Sequence, residues 1–302
     1  MSVTDSLIKT RIAPTPSGFL HLGNAMSIVV TAALVKQRGL EMLLRIDDLD
    51  SKRVRFDHIH DVFESLEWLG ISWSKGPANE VELSDYWSQS HRIDCYNELI
   101  LQLLNEGHLY PCRCSRKEIE DRGGLGSLEH KCRDKSVDPS QSDVSWRIKL
   151  PENCVIEISD ESRGTLNVDL NLEMPDFVIR RRDGIPSYQV ASLADDLHFG
   201  IDLIVRGEDL LESTAAQLYL AKILEKSAFG SSTFIHHPLI MAFDGGKLSK
   251  SEGADALKSM RQEGIAPDAV YSMIAERLGI RSVVYNLNSF AKEFDSQLHL
   301  RR

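Results

Sequence analysis

The chain lacks what would place it in or beyond a membrane. Its longest apolar run, Ile28 to Val35, is broken by Thr31 and falls far short of the ~20 residues that a spanning helix needs. No basic stretch leading into an apolar core opens the sequence, so secretion is not expected. Cysteines number five, an odd count without disulfide-framework spacing, which suits a reducing cytoplasm. Positive charge is also in short supply. The net charge of −10 gives no sign of nucleic-acid binding, although a local basic face on an acidic protein can hold RNA. Neither an internal repeat nor a low-complexity tract is present.

The remainder is ordinary for a globular protein: 42% apolar and 26% charged residues, in 302 positions that suffice for one large domain or two. The informative stretch is Arg11-Ile-Ala-Pro-Thr-Pro-Ser-Gly-Phe-Leu-His21-Leu22-Gly23-Asn24. A short strand (Lys9 to Ala13) runs into a Pro/Gly turn, and a helix then opens and ends near Gly39. That order presents free backbone N–H groups and the positive end of a helix dipole to an anion. His21 can donate to a phosphate, and Gly23 lets a nucleotide approach the backbone. A lone histidine at a helix start is more often a structural hydrogen-bonder. A second stretch changes the balance: Gly245-Gly246-Lys247-Leu248-Ser249-Lys250-Ser251 describes a loop able to close over a polyphosphate, where the bland reading is an exposed turn.

Between these stretches the pattern alternates. Glu41–Ile46 reads as a buried strand ending in Asp47-Asp48-Leu49-Asp50, acidic residues at a strand's carboxyl end, where α/β sheets bind ligands. Helices are predicted at 56–69 and 87–106, the second with a core stripe of Ile93, Tyr96, Ile100 and Leu103 and with Gly107 as its terminator. From 109 to 174 the texture changes. Cys112, Cys114, His130 and Cys132 fall in a polar stretch, and strands Val144–Leu150 and Cys154–Ile158 follow, suggesting an inserted subdomain. The α/β pattern resumes with strand Asp176–Arg180, helix Ser187–Asp195, strand Ile201–Val205, helix Ser213–Leu224 begun by Ser213 or Thr214, and strand Phe234–Met241. Helices are predicted at 255–263, 267–278 (Pro267 at its first position) and 287–297.

The two outer stretches resemble the HIGH-type and KMSKS-type signatures of class I aminoacyl-tRNA synthetases. With Arg45-Ile-Asp-Asp-Leu-Asp50, Asp176–Gly184 and Val205–Thr214, the match to the glutamyl-tRNA synthetase family covers roughly residues 8–280. The resemblance implies a Rossmann nucleotide-binding fold of the class I synthetase type, α/β, with an inserted α+β subdomain and a short helical C-terminal segment. The expected division is 1–108 and 175–245 for the two halves of the catalytic domain, 109–174 for the insertion, and 246–302 for the lysine loop and terminal helices, with no room for an anticodon-binding domain. Cys-x-Cys-Ser-Arg, Gly-Gly and Cys-Arg over 112–133 are similar to the zinc-binding insertion of the glutamyl-Q tRNA(Asp) synthetase subfamily. That subfamily activates glutamate with ATP and places it on the queuosine base of tRNA(Asp).

The resemblance assigns roles. His21 and Lys250 would be catalytic. Together with Gly23, Asn24, Lys247 and Ser249 they would hold ATP, with Mg²⁺ bridging its phosphates. Arg11, Ala13, Thr15, Asp47, Tyr188 and Arg206 would hold L-glutamate, Arg11 at the side-chain carboxylate and Asp47 at the ammonium; the bland reading of Arg11 and Arg206 is a structural ion pair. Asp47 departs from the family, which carries the longer glutamate there. Cys112 and Cys114 supply two thiolates on one turn and His130 and Cys132 a second pair, a set suited to a structural Zn²⁺. The subfamily's tyrosine ligand is replaced by Leu128. A monomeric cytoplasmic ligase using a tRNA and no membrane is expected. The alternatives are a shortened glutamyl-tRNA synthetase charging a tRNA 3′ end, a small-molecule nucleotidylyltransferase, and a non-catalytic paralogue acting as a binding or regulatory module.

Overall fold

The computed structural model describes residues 8–121, 123, 131–134, 143–239 and 256–300. The chain begins with β1 (Lys9–Ile12), α1 (Leu22–Arg38) and β2 (Glu41–Leu44), a parallel crossover with Lys9 opposite Glu41 and Ile12 opposite Leu44. Gly39 ends α1 with φ of 64°, a left-handed conformation that glycine adopts at little cost. Next come α2 (Phe56–Trp68) and α3 (Ile93–Asn105), the latter entered through a π turn at Leu83–Trp87 and a 3₁₀ turn at Gln89–Arg92. The strands β3 (Leu109–Cys112), β4 (Ser145–Ile148), β5 (Val155–Asp160), β6 (Gly164–Asp169) and β7 (Val178–Arg180) follow. A second parallel unit comprises α4 (Tyr188–Phe199), β8 (Leu203–Gly207), α5 (Leu211–Ile223) and β9 (Thr233–His237). Helices α6 (Leu257–Gln262), α7 (Pro267–Arg277), α8 (Leu287–Glu293) and α9 (Ser296–His299) complete the described chain.

The main sheet has six strands in the order β2-β1-β8-β9-β5-β6, parallel except for β6. Its central strands are buried on both faces, as in sheets covered by helices on each side. Met42 and Leu44 of β2 join one core with Val29, Leu203 and Tyr271, whereas Leu43 joins the other with Ile204, Leu220 and Phe234. The first crossover runs from β1 outward to β2 and the other from β8 outward to β9. The winding therefore reverses between β1 and β8, and parallel sheets open a ligand crevice at such a point, at the carboxyl ends of the strands.

Two sheet memberships cut across the sequence reading. The β5–β6 hairpin, grouped by sequence with the insertion, pairs with the main sheet through Asp160 opposite Phe234. Strand β7, grouped with the second half of the sheet, pairs instead with β4 in a small antiparallel sheet of order β3-β4-β7. Alternation tells which face of a strand is buried but not which neighbour it finds. Helix α5 also starts earlier than expected. A 3₁₀ turn over Glu208–Leu210 leads into Leu211, so Ser213 and Thr214 lie buried in the first turn instead of capping it.

Candidate active site

The turn from β1 into α1 is built around His21, the residue that caps the helix. Its Nδ1 accepts from the backbone N–H of Gly23 at 3.1 Å, and its own N–H donates to Asn24 Oδ1 at 3.0 Å. A neutral imidazole accepting through Nδ1 carries its proton on Nε2, where it is a donor. Gly23 is needed for this arrangement: a Cβ there would sit 2.9 Å from Cε1 and 3.0 Å from Nδ1 of His21. Asn24, expected at the nucleotide, uses its side-chain oxygen to cap α1.

Lys247, Ser249 and Lys250 lie outside the described residues, as does His130. The residues flanking the lysine-bearing stretch are anchored at this end of the molecule. Leu239 donates its N–H to Glu208 Oε1 at 3.3 Å, beside the end of β8. Ala256 forms a β-bridge with His21, and Leu257 N–H donates to the Leu20 carbonyl at 2.8 Å. Arg261 of α6 reinforces the join: its Nη2 reaches Asp61 Oδ1 at 2.8 Å, and Asp61 Oδ2 accepts the Leu20 N–H at 2.9 Å.

Beside this turn, the crevice between β1 and β8 holds a buried cluster of charge. Asp196 of α4 is its centre, fully withdrawn from solvent, with Arg11 Nε at 3.0 Å, Arg45 Nη1 at 2.6 Å and Arg206 Nη2 at 3.8 Å. Burial alone would raise the Asp196 pKa, but Arg11, Arg45 and Arg206 hold it below the ordinary carboxylate range. Arg45 also grips Asp47 through Nε (2.7 Å) and Nη2 (3.2 Å), and burial raises the Asp47 pKa against that pull. Asp195 takes Arg92 through Nε at 2.6 Å and Nη2 at 3.1 Å, with Tyr96 Oη at 2.7 Å and Gln89 Nε2 at 3.0 Å.

Four buried guanidinium groups (Arg11, Arg45, Arg92, Arg206) thus share this region with four buried carboxylates (Asp47, Asp160, Asp195, Asp196), Asp160 standing behind Arg206 through His236 and Thr214. Arg206 is 3% exposed, and its Nε and Nη2 find no hydrogen-bond partner among the described residues. Burial lowers its pKa, and the Tyr188 phenol opposes that shift electrostatically. Arg11, by contrast, is committed to Asp196 and to the Val205 carbonyl at 3.3 Å. Ala13 is half-buried and Thr15 exposed on the turn after β1; Tyr188, 38% exposed, opens α4. Sequence reading reached Arg11, Asp47, Tyr188 and Arg206 but missed Arg45, Arg92, Asp195 and Asp196. The available signal was two consecutive aspartates within a helix whose preceding turn, Val190–Ala194, is apolar but for Ser192.

At the edge of the small sheet, the Sγ atoms of Cys112, Cys114 and Cys132 lie within 4.8 Å of one another, with Cys114 and Cys132 3.6 Å apart. That separation is too long for a disulfide, near 2 Å, and matches the edge of a tetrahedron with metal–sulfur bonds of about 2.3 Å. Burial and the neighbouring thiols push the Cys114 pKa up to about 11. The three thiols fit three corners of a zinc site.

An open parallel sheet with an anion-receptive helix start and an arginine-lined crevice at the reversal of its winding defines a nucleotide-binding α/β protein. The catalytic domain of class I tRNA synthetases (E and Q) matches residues 7–296, and the chain belongs to that family. It is 33% identical over 282 residues to a glutamate–tRNA ligase of Aquifex aeolicus, covering 89% of this chain and 57% of that protein. To the corresponding ligase of Oleidesulfovibrio alaskensis it is 34% identical over 281 residues, covering 91% of this chain and 57% of the relative. A crystal structure of a glutamate tRNA ligase from Elizabethkingia meningosepticum in complex with its amino acid superposes with a TM-score of 0.78 at 25% identity, covering 98% of this chain and 66% of that one. The chain therefore spans little more than half the length of these curated relatives. Among the described residues, no helix is long and apolar enough to cross a membrane.

Proposed function

We propose that this chain activates L-glutamate with ATP and transfers it to the queuosine base of tRNA(Asp). One observation carries the amino-acid half: the buried Nε–Nη2 edge of Arg206, which makes no hydrogen bond among the described residues and lies 3.8 Å from Asp196. Glutamate, with a side-chain carboxylate of two oxygens, can accept from both of those donors at once. Arg206 takes the side-chain carboxylate, Tyr188 lies across the entrance, and Arg11 lends positive potential through its pair with Asp196. Asp47 supplies the counter-charge for the ammonium through lone pairs that Arg45 leaves open. Ala13 and Thr15 form the wall under the amino acid.

In the first step an oxygen of the glutamate α-carboxylate bonds to the α-phosphorus of ATP and the bond to the leaving pyrophosphate breaks, giving the mixed anhydride. His21 Nε2–H, the backbone at Gly23 and Asn24, and Lys247, Ser249 and Lys250 stabilise charge on the phosphates, with Mg²⁺ supplying further neutralisation when bound. An RNA hydroxyl then bonds to the acyl carbon and AMP leaves. The choice of acceptor rests on the cysteine pattern of residues 112–133, and zinc held by Cys112, Cys114, Cys132 and His130 would brace that segment. The chain works as a monomer in the cytoplasm.

The test is transfer of labelled glutamate to queuosine-containing bulk tRNA and to the same tRNA trimmed of its 3′-terminal adenosine. Labelling that survives trimming and is abolished by periodate cleavage of the queuosine diol is expected. Labelling lost on trimming would assign the 3′ end as acceptor instead.

A further inference from the structure

What aims Arg206 can be traced through its neighbours, given the reading of that residue as the cation for the substrate side chain. Arginine offers two edges to a carboxylate, Nε with one Nη or the two Nη groups together. Here Nη1 is already used: it donates to Gln217 Oε1 at 2.9 Å and to Thr214 Oγ1 at 3.3 Å. Both partners sit on the same face of α5, three residues apart, and both are fully buried. Nε and Nη2 are the pair left over.

Thr214 is itself held from behind. Its Oγ1 lies 2.8 Å from His236 Nε2, and His236 Nδ1 lies 2.7 Å from Asp160 Oδ2, with all three side chains withdrawn from solvent. Asp160 is fixed by the His236 N–H at 2.8 Å and, through Oδ1, by Ser162 Oγ at 2.7 Å and the N–H groups of Ser162 and Arg163 at 2.9 and 2.8 Å. Burial lowers the His236 pKa, so the ring is neutral. A neutral ring that donates from Nδ1 to Asp160 must accept at Nε2, which draws the Thr214 hydroxyl hydrogen to it at 2.8 Å in preference to the Leu210 carbonyl at 3.1 Å and leaves the oxygen lone pairs toward Arg206. Every donor then points one way, from Arg206 through Thr214 and His236 to Asp160. Gln217 is oriented by the same rule, because a guanidinium that only donates selects the amide oxygen.

We propose that Thr214 and Gln217, backed by His236 and Asp160, are positioning residues that fix Arg206 by its Nη1 and so present the Nε–Nη2 edge to the substrate's side-chain carboxylate. The chain links the β5–β6 hairpin, remote from the crevice in sequence, to the choice of amino acid. It sets binding of the amino acid without touching it or ATP.

Glutamate-dependent ATP–pyrophosphate exchange in the presence of bulk tRNA tests this, with separate KM values for glutamate and ATP. T214V and Q217M each remove an oxygen at nearly constant volume, and each is expected to raise KM for glutamate about tenfold, the usual effect of losing a hydrogen bond to a charged group. KM for ATP stays within about twofold, and T214S, which keeps the hydroxyl, restores the glutamate value. R206A serves as the control on the parent reading. Should R206A leave KM for glutamate unchanged, or wild type show no glutamate-dependent exchange, Arg206 is not the carboxylate's cation and that reading fails. Should R206A raise it strongly while T214V and Q217M do not, or should they raise both KM values alike, the positioning role alone is overturned. A crystal structure of the T214V/Q217M double variant reads the same point without activity: a displaced Arg206 guanidinium is expected, and an unmoved one contradicts the proposal.

Discussion

Arg11 and Asp196 meet at 3.0 Å across the base of the crevice, joining β1 to α4 where neither side chain sees solvent. The same carboxylate takes Arg45 at 2.6 Å, so it balances more than one buried cation. Asp196→Asn would keep the shape and remove the charge. We expect it to cost about 3–5 kcal/mol, the range for breaking a buried pair by deleting one partner, measured as a shift in the denaturant midpoint at unchanged m-value.

Acid should act through the same group. The Asp196 pKa is held below its unfolded value by Arg11, Arg45 and Arg206 acting against burial. In the window between the two values the unfolded chain binds more protons, so stability rises with pH there. The contribution is full above the ordinary carboxylate pKa of about 3.9 and is lost as pH falls through the lower, folded value. A urea-melt series over acidic pH should show a shallower loss for Asp196→Asn than for wild type; identical slopes would contradict the assignment.

Gly23→Ala separates fold from function at the helix start. Alanine is the better helix former by about 1 kcal/mol, so thermal stability should change little. Its Cβ would lie 2.9 Å from His21 Cε1, forcing the imidazole aside. A displaced phosphate donor is expected to slow pyrophosphate exchange about a hundredfold.

At the cysteine cluster, protein purified without chelator should carry about one equivalent of zinc per chain, the stoichiometry of a closed structural site. Cys132→Ser removes a ligand whose sulfur lies 3.6 Å from that of Cys114. Elemental analysis of the variant should show the metal lost, and limited proteolysis should show earlier cleavage within 113–143.

The parallel core was legible because its strands and helices obey local rules. The strand at Lys9–Ile12, the helix ending at Gly39 and the proline opening α7 fall where hydrophobic period and capping residues put them. In the crevice, Asp47 was legible from the acidic run that closes a strand, whereas Arg11 and Arg206 came only from the resemblance to the glutamyl-tRNA synthetase family. What the sequence hid were pairings between distant segments. Arg92 and Asp195, or Asp160 and His236, are bound at 2.6 and 2.7 Å across more than seventy residues, and no local pattern encodes such a partner. The strand partners of β5 and β7 were hidden for the same reason.

At the centre of this account, the Nε–Nη2 edge of Arg206, without a hydrogen bond among the described residues, selects an acidic amino acid for activation. ATP–pyrophosphate exchange with bulk tRNA present, run with L-glutamate, L-glutamine and L-aspartate in parallel, tests it most directly. Exchange with glutamate, and little with the neutral glutamine or the shorter aspartate, is the predicted result. Exchange driven as well by glutamine, or by none of the three, would contradict it.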